Sequence, residues 1–109
     1  MANTFKLKTK ANVGVTTVGI YTAPAATTTV VIGITMANTS GSGVNVGVGI
    51  TRAGTTEDVK LLKNAPIPQG SSLEFMSGNK IVLEATDTVV VDSDTNNSVD
   101  ASLTIMEIT

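Results

Sequence analysis

The stretch Gly43–Arg52, with the sequence GVNVGVGITR, places an apolar residue at every second position. Alternation with a period of two is typical of a β-strand that turns one face toward a protein core. The valines and Ile50 are predicted to form that face, and the opposite face carries Gly47 and Gly49. A glycine inside a strand costs about 0.5–1 kcal/mol relative to alanine. The pair therefore predicts either a local twist or bulge, or the close approach of another backbone from this chain or a neighbouring subunit.

The same alternation continues upstream of this stretch. In Thr28–Ala37 one face is predicted to carry four large apolar residues, which are Val30, Ile32, Ile34 and Met36. The intervening segment Asn38–Gly43 is rich in Asn, Ser and Gly, the residues that favour turns. These features predict a hairpin between the two strands.

Short alternating segments also continue downstream. The predicted strands are Glu57–Lys63, Ser72–Phe75, Lys80–Glu84, Thr88–Asp92 and Val99–Ile108. The first is expected to lie at a sheet edge because its lysines discourage further pairing, and the prolines of Asn64–Gly70 predict a corner. We therefore predict an all-β fold, an antiparallel β-sandwich of jelly-roll or immunoglobulin-like type with about seven to eight short strands. Residues 1–109 are expected to form a single domain, with 1–16 as an N-terminal arm or first edge strand.

The composition excludes several classes of function. Hydrophobic residues make up 41% of the chain and charged residues 15%, which predicts a folded domain, but only 3% is aromatic. Histidine and cysteine are absent, so the commonest general base and the thiol nucleophile are missing, and we expect neither enzymatic activity nor a cofactor. A net charge of -2 argues against nucleic-acid binding. No apolar run approaches membrane-spanning length, so we expect a soluble protein without a membrane partner.

One acidic segment resembles the beginning of a calcium-binding loop. Asp92, Asp94 and Asn96 alternate as in such a loop, but Asn97 stands where glycine is expected and Leu103 where the bidentate acid is expected. A looser calcium site formed by Asp92, Asp94 and Asn96, with Asp100 as a further candidate ligand, stays open, since oxygen ligands alone suffice for that ion. The favoured interpretation is a plain turn, in which Asp and Asn form local hydrogen bonds.

Both ends of the chain carry candidate contact residues. Lys6, Lys8 and Lys10 share one face of an extended segment, which is either a solvated first strand or an arm laid over a neighbouring subunit. Met106 and Ile108 lie on the face of the last strand that should point away from the core, so either they are buried at an interface or a bulge shifts the strand. Together with the two glycines of the opening stretch, these residues are the predicted assembly contacts.

The segment Ile20–Thr39, IYTAPAATTTVVIGITMANT, and the terminal Glu107–Thr109 resemble short β-sandwich virion proteins of tailed bacteriophages, especially of phages that infect marine cyanobacteria. The resemblance implies a non-enzymatic structural protein, made in the host cytoplasm and incorporated into the virion in many copies. It favours a capsid decoration or cement protein that forms a homo-oligomer, with a trimer as the expected order, and contacts the major capsid protein or tail proteins. The alternative is a tail, neck or fibre component that binds a host-surface glycan through the polar loops 39–43, 53–57 and 92–98.

Overall fold

Nine β-strands make up most of the fold. The computed structural model describes residues 3–52, 57–75 and 80–109, so most of the loop 53–57 lies outside the described residues. The strands are β1 (Asn3–Val13), β2 (Val18–Thr22), β3 (Thr28–Asn38), β4 (Val44–Arg52), β5 (Glu57–Ile67), β6 (Ser72–Phe75), β7 (Ile81–Leu83), β8 (Thr88–Ser93) and β9 (Val99–Ile108). The strand that the sequence did not predict is β2, just before Pro24. Across the described ranges, no helix is long and apolar enough to cross a membrane.

The strands form two antiparallel sheets packed as a sandwich. The first sheet has the order β1-β9-β3-β6, with β7 also paired to β3, and the second has the order β2-β8-β4-β5. Consecutive strands alternate between the sheets except at β4–β5 and β6–β7. This crossing pattern is that of a double-sheet jelly roll, and it confirms the predicted sandwich.

The predicted hairpin between β3 and β4 is wrong. The two strands lie in different sheets, and β4 pairs with β5 and β8 instead. The turn between them crosses from one sheet to the other and is held by the buried side chain of Asn38. Its amide nitrogen donates to the carbonyl oxygens of Ser42 at 2.8 Å and Ile67 at 2.9 Å. Turn-forming residues predict that the chain reverses here, but they do not specify which sheet the next strand joins.

A bulge divides the predicted apolar face of β3. The insertion of Ile32 gives β3 one residue more than β9 at this point. Before the bulge Val31 is buried and Val30 faces outward, whereas after it Ile34 and Met36 are buried. Only two of the four residues predicted to share a face therefore reach the core, because an extra residue reverses the alternation beyond it.

The inner faces of both sheets meet in an aliphatic core. The inward positions predicted for β4 and β9 are buried as expected. The largest fully buried side chains are Ile34, Met36, Ile67, Leu83, Leu103 and Ile105. Tyr21 is the only aromatic residue among the buried hydrophobic side chains of the described part of the chain. Packing therefore depends on interlocking Val, Ile and Leu from the two sheets.

Strand β5 is an edge strand, as predicted, but it is longer than expected. It pairs with β4 alone and continues through Pro66 to Ile67. An edge strand tolerates proline because one side of it needs no ladder donor. The predicted corner is therefore confined to the residues that follow Ile67, where Ser71 N donates to Pro68 O and Gly70 has a positive φ.

Candidate assembly surface

Strand β1 turns its lysines inward and its apolar residues outward. In the register with β9, Lys6, Lys8 and Lys10 each lie opposite a buried residue of β9, so they point to the inner side of the sheet. Phe5 and Leu7 alternate with them and are 69% and 65% exposed. Inward-facing charge on an edge strand discourages a further strand from pairing there. The outer face of β1 is therefore the apolar one.

A buried carboxylate holds the first of these lysines. Glu107 continues the inward-facing row of β9, and its Oε2 accepts a hydrogen bond of 2.6 Å from Tyr21 Oη. Its Oε1 lies 2.9 Å from Lys6 Nζ. Tyr21 Oη also contacts Thr29 Oγ1 at 2.8 Å, and Lys8 Nζ lies 5.9 Å from the centroid of the tyrosine ring, within the range of a cation–π contact. These contacts join β1, β2, β3 and β9.

The cluster has well-defined charges at neutral pH. The hydrogen bond from Tyr21, and the contact with Lys6 after it, lower the pKa of Glu107 below the ordinary value of a carboxyl group. Burial, followed by the hydrogen bond to Glu107, raises the pKa of Tyr21 to about 12. An ionised Glu107 therefore attracts Lys6 and fastens the edge strand to the rest of the sandwich. The prediction that the lysines contact a neighbouring subunit stays a prediction, since Lys6 and Lys8 here contact groups of their own chain.

An apolar stripe crosses the outer face of the first sheet. Phe5 pairs with Met106, Met106 with Val30, and Val30 with Val82, so one row runs across β1, β9, β3 and β7. We call these four residues the outer stripe. Its ends, Phe5 and Val82, are 69% and 60% exposed, and the described part of the chain does not cover it. Leu7 extends the apolar surface along β1. Contiguous exposed apolar surface of this kind marks contact sites in soluble proteins.

The same face becomes recessed farther along the strands. Thr9 pairs with Ser102 and Ser102 with Thr35, which forms a row of short side chains. These residues line an open depression of about 310 Å³, which we call the recess, together with Ala11, Ala37, Ala101 and the charged Lys10 and Asp100. The outer face of the first sheet is therefore bulky at one end and recessed at the other.

Met106 and Ile108 lie on this outer face and are half-buried. The register of β1 with β9 is continuous from Asn3 to Lys10, so no bulge in that pairing explains their position. The inward position between them is taken by Glu107. The sequence did not predict this buried carboxylate, because a lone Glu in a terminal strand is indistinguishable from a surface residue until its tyrosine and lysine partners are known. Contact of Met106 and Ile108 with another subunit stays a prediction.

The glycine face of β4 is covered by this chain's own strands. A Cβ added at Gly47 would lie 2.6 Å from Asp92 Oδ1, and one added at Gly49 would lie 2.8 Å from the carbonyl oxygen of Val59. The pairing of β4 with β5 is bulged on both sides of Val48. Two of the predicted causes are therefore present together within one chain: β4 is bulged against β5, and other groups of the chain lie close to both glycines. A subunit contact at the two glycines stays a prediction.

The side chains of the acidic segment at the end of β8 and in the turn after it accept hydrogen bonds from neighbouring groups of the protein. Asp92 Oδ2 accepts a hydrogen bond of 3.0 Å from Thr17 Oγ1, and Asp94 Oδ1 accepts one of 3.1 Å from the backbone N–H of Asn45. Asn96 Oδ1 accepts a longer one from the loop after β1. Within residues 3–52, 57–75 and 80–109, no three His, Cys, Asp or Glu residues are grouped as a metal site. The calcium site stays a prediction.

A second open groove, of about 380 Å³, lies beside Arg52. Arg52 Nε is 3.1 Å from Oδ2 of the buried Asp87, and its guanidinium also pairs with Glu84. The hydrogen bond to Asp87 raises the pKa of Arg52 further above its already high value. The guanidinium thus joins the end of β4 to the loop before β8, and its charge is matched by two carboxylates of the same chain.

Comparison with known proteins identifies the fold. No protein-family model matches the chain, and no curated protein matches it either. VP2 of infectious bursal disease virus, in a subviral particle, matches with a TM-score of 0.58 and 12% identity over 96% of this chain and 32% of that chain. A chain of the cyanophage Pam1 capsid matches with a TM-score of 0.55 and 13% identity, over 96% of this chain and 84% of that one. The jelly roll is shared with viral capsid proteins.

A third match comes from a bacterial filament. A chain of the disulfide-linked pili that form Bacillus endospore appendages has a TM-score of 0.57 and 15% identity, over 99% of this chain and 87% of that one. The present chain spans about a third of the length of VP2 but most of the other two. At these identities the matches show a common fold alone.

Proposed function

We propose that this chain is a non-enzymatic structural protein of a bacteriophage virion, which decorates or cements the capsid as a homo-oligomer. The observation that carries the proposal is the outer stripe, an apolar row with exposed ends and a half-buried centre on the face of a jelly roll of the type found in capsid proteins. Burying this row against another protein would remove apolar surface from water, which is the main driving force of association. Large contiguous apolar patches are uncommon on soluble monomers unless they are contact sites.

The disposition of the carboxylates supports a structural role. Asp87 is bound by Arg52, and Glu107 is bound by Tyr21 and Lys6. Asp92 accepts a hydrogen bond from Thr17. General acid–base catalysis requires a carboxyl group that can reach a substrate, and these groups are engaged in holding strands together. The chain contains no histidine that could take their place.

The partners we propose are other copies of this chain and a second virion protein, the major capsid protein in the first instance. The disulfide linkage described for the Bacillus pili is unavailable here because the chain has no cysteine. Assembly would therefore depend on non-covalent surfaces such as the outer stripe. A trimer, the order expected from the sequence, would need an additional head-to-tail contact that closes a ring.

The proposal is tested by locating the protein in intact virions. Virions of a phage that encodes this chain would be purified and labelled with gold-conjugated antibody against the recombinant protein, with a phage lacking the gene as the control. We expect label spread over the head. Label confined to the neck or tail would replace decoration by the tail or fibre alternative. Virions that carry no label would contradict a virion role.

A further inference from the structure

We infer that the outer face of the first sheet binds the same face of a second copy of this chain, with the outer stripe of each copy seated on the recess of the other. This inference deepens the proposed function, on which it rests, by naming the partner of the apolar surface. It follows from the order of bulky and short side chains along the face, from the lack of charge in its central rows, and from its area.

The order of side chains makes the face complementary to itself. Along β1 the outward residues are Phe5, then Leu7, then Thr9, at successive steps of about 6.6 Å. A two-fold axis in the plane between two such faces, perpendicular to the strands and passing over Leu7, places Phe5 of each copy over Thr9 of the other. The stripe residues of β1, β9 and β3 then face the row of Thr9, Ser102 and Thr35, and Val82 faces Glu74, which continues that row on β6. Contacts of this isologous kind are the basis of most homodimers.

The row at the proposed axis is suited to close packing of two sheets. Leu7 pairs with Thr104 on β9, and Thr104 pairs with Gly33 on β3. A Cβ added at Gly33 would meet no atom within 4 Å apart from those of its two chain neighbours. One of these neighbours is the bulged Ile32, which is half-buried. On β1 and β9, Leu7 is the only bulky side chain of this row. On the axis it would contact the same residue of the other copy.

The central rows of the face are uncharged on three strands. On β1, β9 and β3 the rows of the outer stripe, of Leu7 and of Thr9 carry no charged residue, whereas the inner side of β1 carries three lysines. Charge begins at the margins, with Glu74 opposite Thr35 on β6 and Asp100 opposite Ala37 on β9. Two copies therefore would not repel each other across the central rows. The inward lysines also discourage pairing through the edge of β1.

The area is sufficient for a specific contact. Four strands spaced about 4.8 Å apart, over the nine residues from Asn3 to Ala11, give a face of about 19 Å by about 26 Å, or about 500 Å² in projection. Two copies would together bury about 1,000 Å² or more, the size at which specific interfaces begin. The two-fold contact would produce a dimer from monomers or a hexamer from two trimers.

The test is a charge-pair experiment on the purified protein by sedimentation equilibrium and native mass spectrometry. Phe5→Lys or Thr9→Glu alone should halve the mass of the assembled species and weaken self-association at least about 100-fold. The double variant should regain the mass, because the introduced ammonium of one copy would face the introduced carboxylate of the other. Within one chain these groups would stand about 13 Å apart and would not pair. The recovery should weaken as salt is raised.

The matched control is Val15→Lys, which adds the same charge at a residue that is 56% exposed and lies in the loop after β1. It should leave the mass unchanged. A wild-type protein that stays monomeric at the highest soluble concentration would overturn the inference, as would an unchanged mass in Phe5→Lys. A double variant that stays dissociated would overturn the proposed register.

This experiment is independent of the virion test. Gold label on virions together with a monomeric purified protein would leave the virion role standing and refute both the self-association and the homo-oligomer. A purified protein that dimerises but is absent from virions would refute the virion role and leave the self-association standing.

Discussion

The buried tyrosine gives a spectroscopic test of the cluster that fastens β1. Raising the pH should ionise Tyr21 about two units later than an ordinary tyrosine, because burial and the neighbouring Glu107 raise its pKa from 10.0 to about 12. The chain has one tyrosine and no tryptophan, so the ultraviolet absorbance of tyrosinate reports this residue alone. We expect the folded protein to titrate near the raised value and the urea-unfolded protein near the ordinary one.

The same shift fixes a loss of stability in alkali. Between the two pKa values the unfolded chain has released the tyrosine proton and the folded chain still holds it, so the free energy of unfolding falls as the pH rises. Across these two pH units the free energy of unfolding should fall by about 3 kcal/mol, at about 1.4 kcal/mol for each unit. Urea unfolding at a series of pH values measures this slope. The informative quantity is the difference between wild type and Tyr21→Phe, which should lack this part of the slope.

The outcome that would refute the reasoning is a folded protein whose tyrosine ionises near its ordinary pKa. Tyr21 would then be accessible to water and would not donate to Glu107. Glu107→Gln separates the two causes of the raised tyrosine pKa, which are burial and the contact with the carboxylate. It removes the carboxylate but leaves the burial of the ring, so the tyrosine pKa should fall part of the way. A full return to the ordinary value in that variant would contradict burial as the main cause.

Three further changes test other parts of the fold. The free energy of unfolding of wild type should decrease as the pH falls from about 4.5 through the lowered pKa of Glu107, because Tyr21 and Lys6 hold only the ionised form. In Glu107→Gln the free energy of unfolding should depend less steeply on pH over this acid range. Gly49→Ala should lower the free energy of unfolding in urea by about 1–3 kcal/mol, because the added Cβ would meet a backbone carbonyl. Gly33→Ala should be neutral or slightly stabilising. Equal effects of the two variants would contradict the packing described. Arg52→Ala should lower the urea midpoint, because the buried carboxylate that Arg52 binds would lose its cation. An unchanged midpoint would show that this charge is solvated.

The fold class was predictable because the alternation of apolar and polar residues along a strand is a local property of the sequence. The inward positions of β4 and β9 could be assigned from the sequence, and both strands bury the expected residues. Strand pairing is not local. The turn after Asn38 looks like a hairpin turn, but its side chain ties it to the opposite sheet. The bulge at Ile32 also has no signature in the sequence, and it reverses the face of everything that follows in β3.

The assembly surface was only partly predictable for a related reason. Alternation in β1 defines two faces but does not specify which one points inward. For an edge strand the usual assumption that apolar residues point inward fails, because Lys6 finds a buried carboxylate and Phe5 is left outside. Met106 was recognised as an outward apolar residue, but its neighbours in the stripe come from strands far apart in the chain. Only the register of four strands brings them into one row.

The pairing of β1 with β9 has a consequence for how the chain folds. Asn3 lies opposite Ile108, so the first sheet joins the two ends of the chain across more than a hundred residues. Closing a loop of that length costs about 4 kcal/mol of chain entropy on the logarithmic scaling of closure, before any contact compensates for it. During synthesis β1 must wait for β9, and β3, the other strand that pairs with β9, lacks a partner on that side until then. We expect folding in milliseconds to seconds, as for other proteins dominated by distant contacts. We also expect that the first sheet is completed only after β9 has been synthesised.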